Sequence, residues 1–189
     1  VIEMAADNKL GVILCTPTAT PPIWMSKNYP EILMVKENMA RVTHGSRAHR
    51  CVNSDTFNHY ATRIAKELSE RYGQHPAVIG WQIDNELSHY ENTACYCSSC
   101  HQAFIDWLRQ KYGSIDRLNY HWAGDFWSQN YQSFEQIELP NPETLPYLPN
   151  EHALLDFKTF FSVSLSRFID RQTKTLRARI DSRMWITHN

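Results

Sequence analysis

No stretch of the 189 residues is apolar for long enough to cross a bilayer as a helix. The opening run, Val1-Ile-Glu-Met-Ala-Ala-Asp-Asn-Lys9, has no basic start, apolar centre or small-residue cleavage site, so it does not read as a secretory signal. There is no GxGxxG and no phosphate loop, which weakens a nucleotide-binding reading. Charge of one sign is missing too. Nineteen Lys and Arg against 20 Asp and Glu leave a formal net charge of -1, which gives no basis for nucleic acid or a membrane surface as partner. The expected setting is cytoplasmic.

What is present fits one soluble globular domain, or part of a larger one: 42% hydrophobic and 21% charged residues. Six Trp and nine Tyr hint weakly at carbohydrate, because aromatic faces stack on the apolar faces of sugars. Core filling accounts for most of the six Trp equally well.

The chain alternates strand and helix patterns. Gly11–Cys15 reads as a buried parallel strand, with Thr16–Pro22 as its exit loop. Ser54 is placed to cap a helix of about five turns, with Asp55 in its first turn. Phe57, Tyr60, Ala61, Ile64, Ala65, Leu68 and Tyr72 fall on one face of it, and Gly73 ends it. Val78–Ile83 follows as a second buried strand. Helices are predicted over Ser99–Tyr112 and Ser114–Trp122. After the Pro-rich loop from Pro140 to Pro149, Asn150 opens a long helix with Leu154, Phe157, Phe161, Leu165, Phe168, Leu176 and Ile180 among its apolar positions. Met184–Thr187 is the last strand. This order is that of right-handed parallel α/β units. The first residues read as the end of a helix already begun and the last as a strand with nothing after it, so an incomplete domain is expected over 1–189.

Polar residues with usable chemistry gather just after the strand ends, at Thr16–Thr20, Asp84–Glu86 and His188–Asn189. A (β/α)8 barrel places its site on that face, and open α/β sheets also bind there. Asn85-Glu86 after Val-Ile-Gly-Trp-Gln-Ile is the sharpest of these. A Glu partly removed from water holds its proton and can protonate a poor leaving-group oxygen, as cleavage of a glycosidic bond requires. An adjacent Asn can hold a sugar hydroxyl. An isolated Asn-Glu pair would more often be a solvated loop, and the preceding apolar strand tips the balance towards function. Asp84 is nearest to it in sequence but should point elsewhere.

Four of the five cysteines form a set, Cys51 with Cys95-Tyr-Cys97-Ser-Ser-Cys100. Zinc ligation, reduced spectator thiols and disulfides are all open to that spacing. His49, His89 and His101 are weaker rival ligands. Cys15 reads as a buried apolar residue.

Trp81-Gln-Ile-Asp-Asn-Glu86 resembles the fourth-strand signature of the family 42 β-galactosidases, retaining barrels of a large clan. Gly11–Trp24 resembles that family's third strand and loop. Gly45-Ser-Arg-Ala-His-Arg-Cys51 and Trp122–Tyr131 resemble two further segments, in the same order. Ser46 and Arg50 depart from the family's Arg and Tyr, and Gly124-Asp125 from its Thr-Ala.

The resemblance implies an α/β fold that is part of a (β/α)8 TIM barrel, about strands 3 to 5, with a zinc-binding loop insertion. It implies hydrolysis of terminal β-D-galactosides with retention, through a covalent galactosyl-enzyme intermediate. Glu86 would be the general acid/base, and Arg47, Asn85 and Trp127 would contact the sugar. Cys51, Cys95, Cys97 and Cys100 would hold a structural zinc ion. The nucleophile is expected outside these residues, and a homo-oligomer, a trimer, is expected of the assembly. Two other readings use the same features: another retaining barrel glycosidase, such as a β-glucosidase, mannanase or arabinosidase, and a zinc-stapled carbohydrate-binding module without chemistry.

Overall fold

The computed structural model describes residues 1–87 and 94–189. His89 and Glu91 therefore lie outside the described residues. Among the described residues the strands are β1 (Val12–Cys15), β2 (Val78–Gln82) and β3 (Trp185–Thr187). They pair in parallel in the order β1-β2-β3. The helices are α1 (Ile2–Asp7), α2 (Ile23–Asn28), α3 (Asp55–Tyr72), α4 (Ser98–Tyr112), α5 (Ile115–His121) and α6 (Glu151–Arg177). None of them is long and apolar enough to cross a membrane.

The caps are where the sequence puts them. The Ser54 hydroxyl accepts the Phe57 N–H at 3.3 Å, and Asn150 accepts the N–H groups of His152 and Ala153 at 3.0 and 3.1 Å. Gly113, at φ 75°, ends α4 in a backbone conformation that glycine adopts without strain.

At 27 residues, α6 is roughly 40 Å long, long enough to touch every part of the core. Phe157 and Phe160 pack with Phe104 and Leu108 of α4. Phe161 lies against the cysteine cluster. Phe168 stacks on Phe57 of α3, and Leu176 reaches Trp81 of β2.

The sheet itself is covered on one side. Leu14, Trp81 and Ile186 are register partners and pack with Ala65 of α3 and Leu176 of α6. Among the described residues nothing covers the opposite side, where Ile13 and Trp185 are exposed. Trp185 lies across Gly80, where a Cβ would sit 2.5 Å from the indole, so a larger residue would have to displace that ring.

Three expectations fail here. β1 is half exposed rather than buried: Ile13 keeps 50% of its surface. Within residues 1–189 it is an edge strand with a single covered face, so only alternate side chains are hidden. Cys15 is likewise exposed, and its thiol donates to the Asp84 carbonyl at 3.1 Å. Ile64 is also exposed, because at 100° per residue it falls beside the arc of Phe57, Ala61, Ala65 and Ser69 that α3 buries.

One buried polar knot ties α4, α5 and α6 together. The Asp156 carboxyl accepts from the Tyr112 hydroxyl at 2.6 Å, the Trp122 indole N–H at 3.0 Å and the Lys111 ammonium at 2.5 Å. Asp156→Ala would strand three donors, two of them buried, and is expected to cost about 3 kcal/mol, against about 1 kcal/mol for Tyr112→Phe. Urea denaturation of the two variants checks the ranking, and equal losses would contradict it.

Candidate active site and metal centre

The candidate active site stands where β2 ends. The chain leaves its extended path at once: Asp84 and Glu86 both adopt left-handed backbone, at φ 52° and 44°. Each costs of the order of 1 kcal/mol in a residue with a Cβ. Asp84 is fully buried, and every polar atom of it is engaged. Its carboxyl accepts from Thr18 Oγ1 at 2.6 Å, Arg50 Nη2 at 3.0 Å and the Asn85 N–H at 2.6 Å. Its own N–H donates to Thr16 Oγ1 at 2.8 Å. Its carbonyl accepts from Cys15 Sγ and Gln82 Nε2, each at 3.1 Å.

The partner of Asp84 comes from a second irregular stretch. Gly45, Ser46 and Ala48 all have positive φ, and Ala48 N–H is tied to the Ala19 carbonyl at 2.9 Å. Arg50 ends up buried, with its guanidinium 5.9 Å from the Phe168 ring centroid. From below, Gln172 of α6 donates to Thr18 Oγ1 at 3.3 Å. His49 beside it is also buried, and burial, His44 and then Arg50 push its pKa down.

Arg47 lies on the exposed side of the same loop and meets Glu86, with Nη2 and Oε2 2.5 Å apart. The Glu86 side chain is 45% exposed, so the shielding expected of it is not supplied by the described residues. Asn189, after β3, closes the group. Its Oδ1 accepts the Glu86 N–H at 3.4 Å and Gln82 Nε2 at 3.1 Å, and its amide donates to Asn85 Oδ1 at 3.5 Å. Arg47, Asn85, Glu86 and Asn189 are thus brought together.

Trp127 belongs to a different grouping. Its ring stacks on Phe126 at 4.7 Å and meets the edge of Tyr147 at 5.5 Å, and it is 63% exposed. Chemically, the strand end offers one accessible carboxyl beside a fixed cation and two amides, a set suited to a hydroxyl-rich ligand and a single proton transfer.

The four cysteines form one buried cluster, with all sulfurs within 4.8 Å of one another, a set able to hold a metal ion. Cys51 Sγ is 3.4 Å from Cys100 Sγ and 3.5 Å from Cys97 Sγ. A disulfide requires about 2.05 Å. A tetrahedral ion with bonds of about 2.3 Å separates its sulfurs by about 3.8 Å, so the spacing fits metal ligation. Contact with Cys100, then Cys51, pulls the Cys97 and Cys95 thiols below their usual range, while contact with Cys51 pushes Cys100 up. Two N–H···S bonds complete the surroundings, from Asn53 Nδ2 to Cys100 at 3.4 Å and from the Val35 N–H to Cys95 at 3.5 Å. Nothing in the spacing of the cysteines pointed to those two donors. His101 is turned to the Ile137 carbonyl at 2.6 Å and is outside the cluster.

A strand-end carboxyl with an Arg and two amides, on a parallel α/β sheet, is compatible with glycosidase chemistry. Comparison with known proteins narrows this. The profile of the glycoside hydrolase family 42 β-galactosidases matches residues 1–189, and the chain belongs to that family. It is 40% identical over 188 residues to "Beta-galactosidase Bga" of Halorubrum lacusprofundi, covering all of this chain and 26% of that protein. It is 42% identical over 188 residues to a β-galactosidase of Thermus thermophilus, covering all of this chain and 29% of the relative. Among solved structures, a β-galactosidase from Marinomonas ef1 superposes with a TM-score of 0.96 at 36% identity, over all of this chain and 28% of that one. The chain therefore spans between a quarter and a third of the length of the relatives it matches.

Metal analysis of the purified protein is expected to find about one thiolate-bound ion per chain. Cys97→Ser should lose it and lower the melting temperature by about 10 °C or more, since binding energy at such a site is folding energy. A metal-free protein of unchanged stability after metal-replete purification would contradict the assignment.

Proposed function

We propose that the protein hydrolyses terminal β-D-galactosides with retention of configuration and that Glu86 is its general acid/base. The observation that carries this is the Arg47–Glu86–Asn85 group at the end of β2 in a chain of family 42. A second carboxylate, about 5–5.5 Å from the first, attacks the anomeric carbon while the bond to the aglycone breaks. Glu86 gives its proton to the departing oxygen. Glu86, now a carboxylate, takes a proton from water as that water opens the galactosyl ester and releases β-galactose. Arg47 and Asn85 hold sugar hydroxyls, and Trp127 offers its exposed ring as a wall of the subsite.

The second carboxylate lies outside these 189 residues. The sequence neighbour Asp84 is fully engaged by Arg50, Thr18 and the Asn85 N–H, which supports that assignment. In the same proposal the sheet is the part of a (β/α)8 barrel that holds strands 3 to 5, and residues 1–189 belong to one catalytic domain. Cys51, Cys95, Cys97 and Cys100 hold zinc, which supplies no chemistry to the reaction because four thiolates leave it no open position. That use of thiols accords with a cytoplasmic setting. Assembly into a homo-oligomer belongs to the same proposal.

In the full-length protein, Glu86→Gln is expected to slow lactose hydrolysis by about 10²–10⁴-fold. A galactoside whose leaving group needs no proton should keep a fast first step, and azide should rescue the second and yield β-galactosyl azide. Lactose turnover near the unmutated rate would sink the assignment. Turnover of a nitrophenyl glucoside or mannoside in place of the galactoside would point to a different sugar.

A further inference from the structure

The Asp84–Arg50 pair is a second device at this site, built on a charge the catalytic reading leaves unused. Two buried, oppositely charged groups 3.0 Å apart lie directly beneath the turn that carries Asn85 and Glu86. Burying such a pair gives little net stability, so its presence calls for another reason. The geometry supplies one. Asp84 has left-handed backbone, which an L-residue leaves unless held. What holds it is its own side chain. One carboxyl oxygen binds both Arg50 Nη2 and the N–H of Asn85, and the other binds Thr18. The guanidinium thus fixes the carboxyl, the carboxyl fixes the next peptide, and that peptide aims Glu86 at Arg47. The same loop supplies both arginines: Arg50 enters the core while Arg47 meets the Glu86 carboxyl outside. Backbone strain on one segment and charge on the other are coupled through one oxygen.

We propose that Asp84, clamped by Arg50, is a positioning residue that sets Glu86 for proton donation to the leaving group. This rests on the reading of Glu86 as the general acid. If the pair is lost, the turn relaxes towards ordinary backbone and the Glu86 carboxyl is displaced. A displacement of about 1 Å at an acid costs up to about 100-fold in rate, and the cost falls on substrates whose leaving group needs the proton.

The test uses Asp84→Asn, which keeps the shape, and Arg50→Met and Arg50→Lys in the full-length protein. Each is assayed on lactose and on a dinitrophenyl β-galactoside. The expected result for Asp84→Asn and Arg50→Met is a loss of kcat/KM, which reports the first step alone, at least about tenfold greater on lactose than on the activated substrate. Arg50→Lys, which keeps a charge for Asp84, should recover part of it. Misfolding would remove active protein for both substrates alike and leave their ratio at the unmutated value, so an unchanged ratio overturns the proposal. A crystal structure of Asp84→Asn tests the clamp without any assay. Loss of the left-handed turn and movement of Glu86 away from Arg47 support the clamp, and an unmoved Glu86 overturns it. Should the unmutated protein cleave no β-galactoside, the functional reading falls, and the crystal structure still decides the clamp.

Discussion

Asp84 has no contact with solvent, and a carboxylate in that position is stable only if its oxygens are fully met. Much of the site's architecture follows from meeting them. Thr16 and Thr18 after β1, Arg50 from the loop before α3 and Gln82 of β2 all converge on this one residue. Removing either member of the ion pair would leave a buried charge at a cost of about 3–5 kcal/mol. The strand ends and the irregular loop are therefore held in one arrangement, and Asn85-Glu86 is presented from it.

The long helix α6 extends that constraint through the molecule. Its Phe168 lies under the Arg50 guanidinium, and its Gln172 reaches Thr18. Two turns earlier, Phe161 packs on the cysteine cluster. The cluster in turn joins Cys51, the residue after Arg50, to the start of α4. The cysteine cluster and a buried ion pair thus involve adjacent residues of the same loop, Cys51 and Arg50, and both pack against α6. Any change in the cluster is thereby passed to the candidate site through Cys51 and Arg50, without direct contact between the two.

Much of this was legible in the residues. The three strands, the Ser54 and Asn150 caps and the faces of α3 and α6 follow from periodicity and capping chemistry, because those signals are local. Asn85-Glu86 stands out because a polar pair interrupts an apolar strand, and the four cysteines stand out by spacing. What escaped was non-local. Arg50 read only as a departure from the family pattern, since a single Arg in a loop carries no sign of the carboxyl it will meet 34 positions later. Asp84 read as a bystander because strand alternation was extended past the end of β2, where its backbone turns left-handed. The exposure of Ile13 and Cys15 was invisible for a related reason: an apolar run records residue type and not whether both faces of its strand are covered.

If Glu86 is the acid, a β-galactoside must sit against the end of β2 with its glycosidic oxygen at that side chain. A crystal structure of the full-length Glu86→Gln protein soaked with an intact β-galactoside measures this. The glycosidic oxygen is expected within about 3.2 Å of the side-chain amide at position 86, with Arg47 and Asn85 on the hydroxyls of the galactose ring. A galactoside bound with that oxygen more than about 5 Å away, beyond reach even through one water, would contradict the assignment.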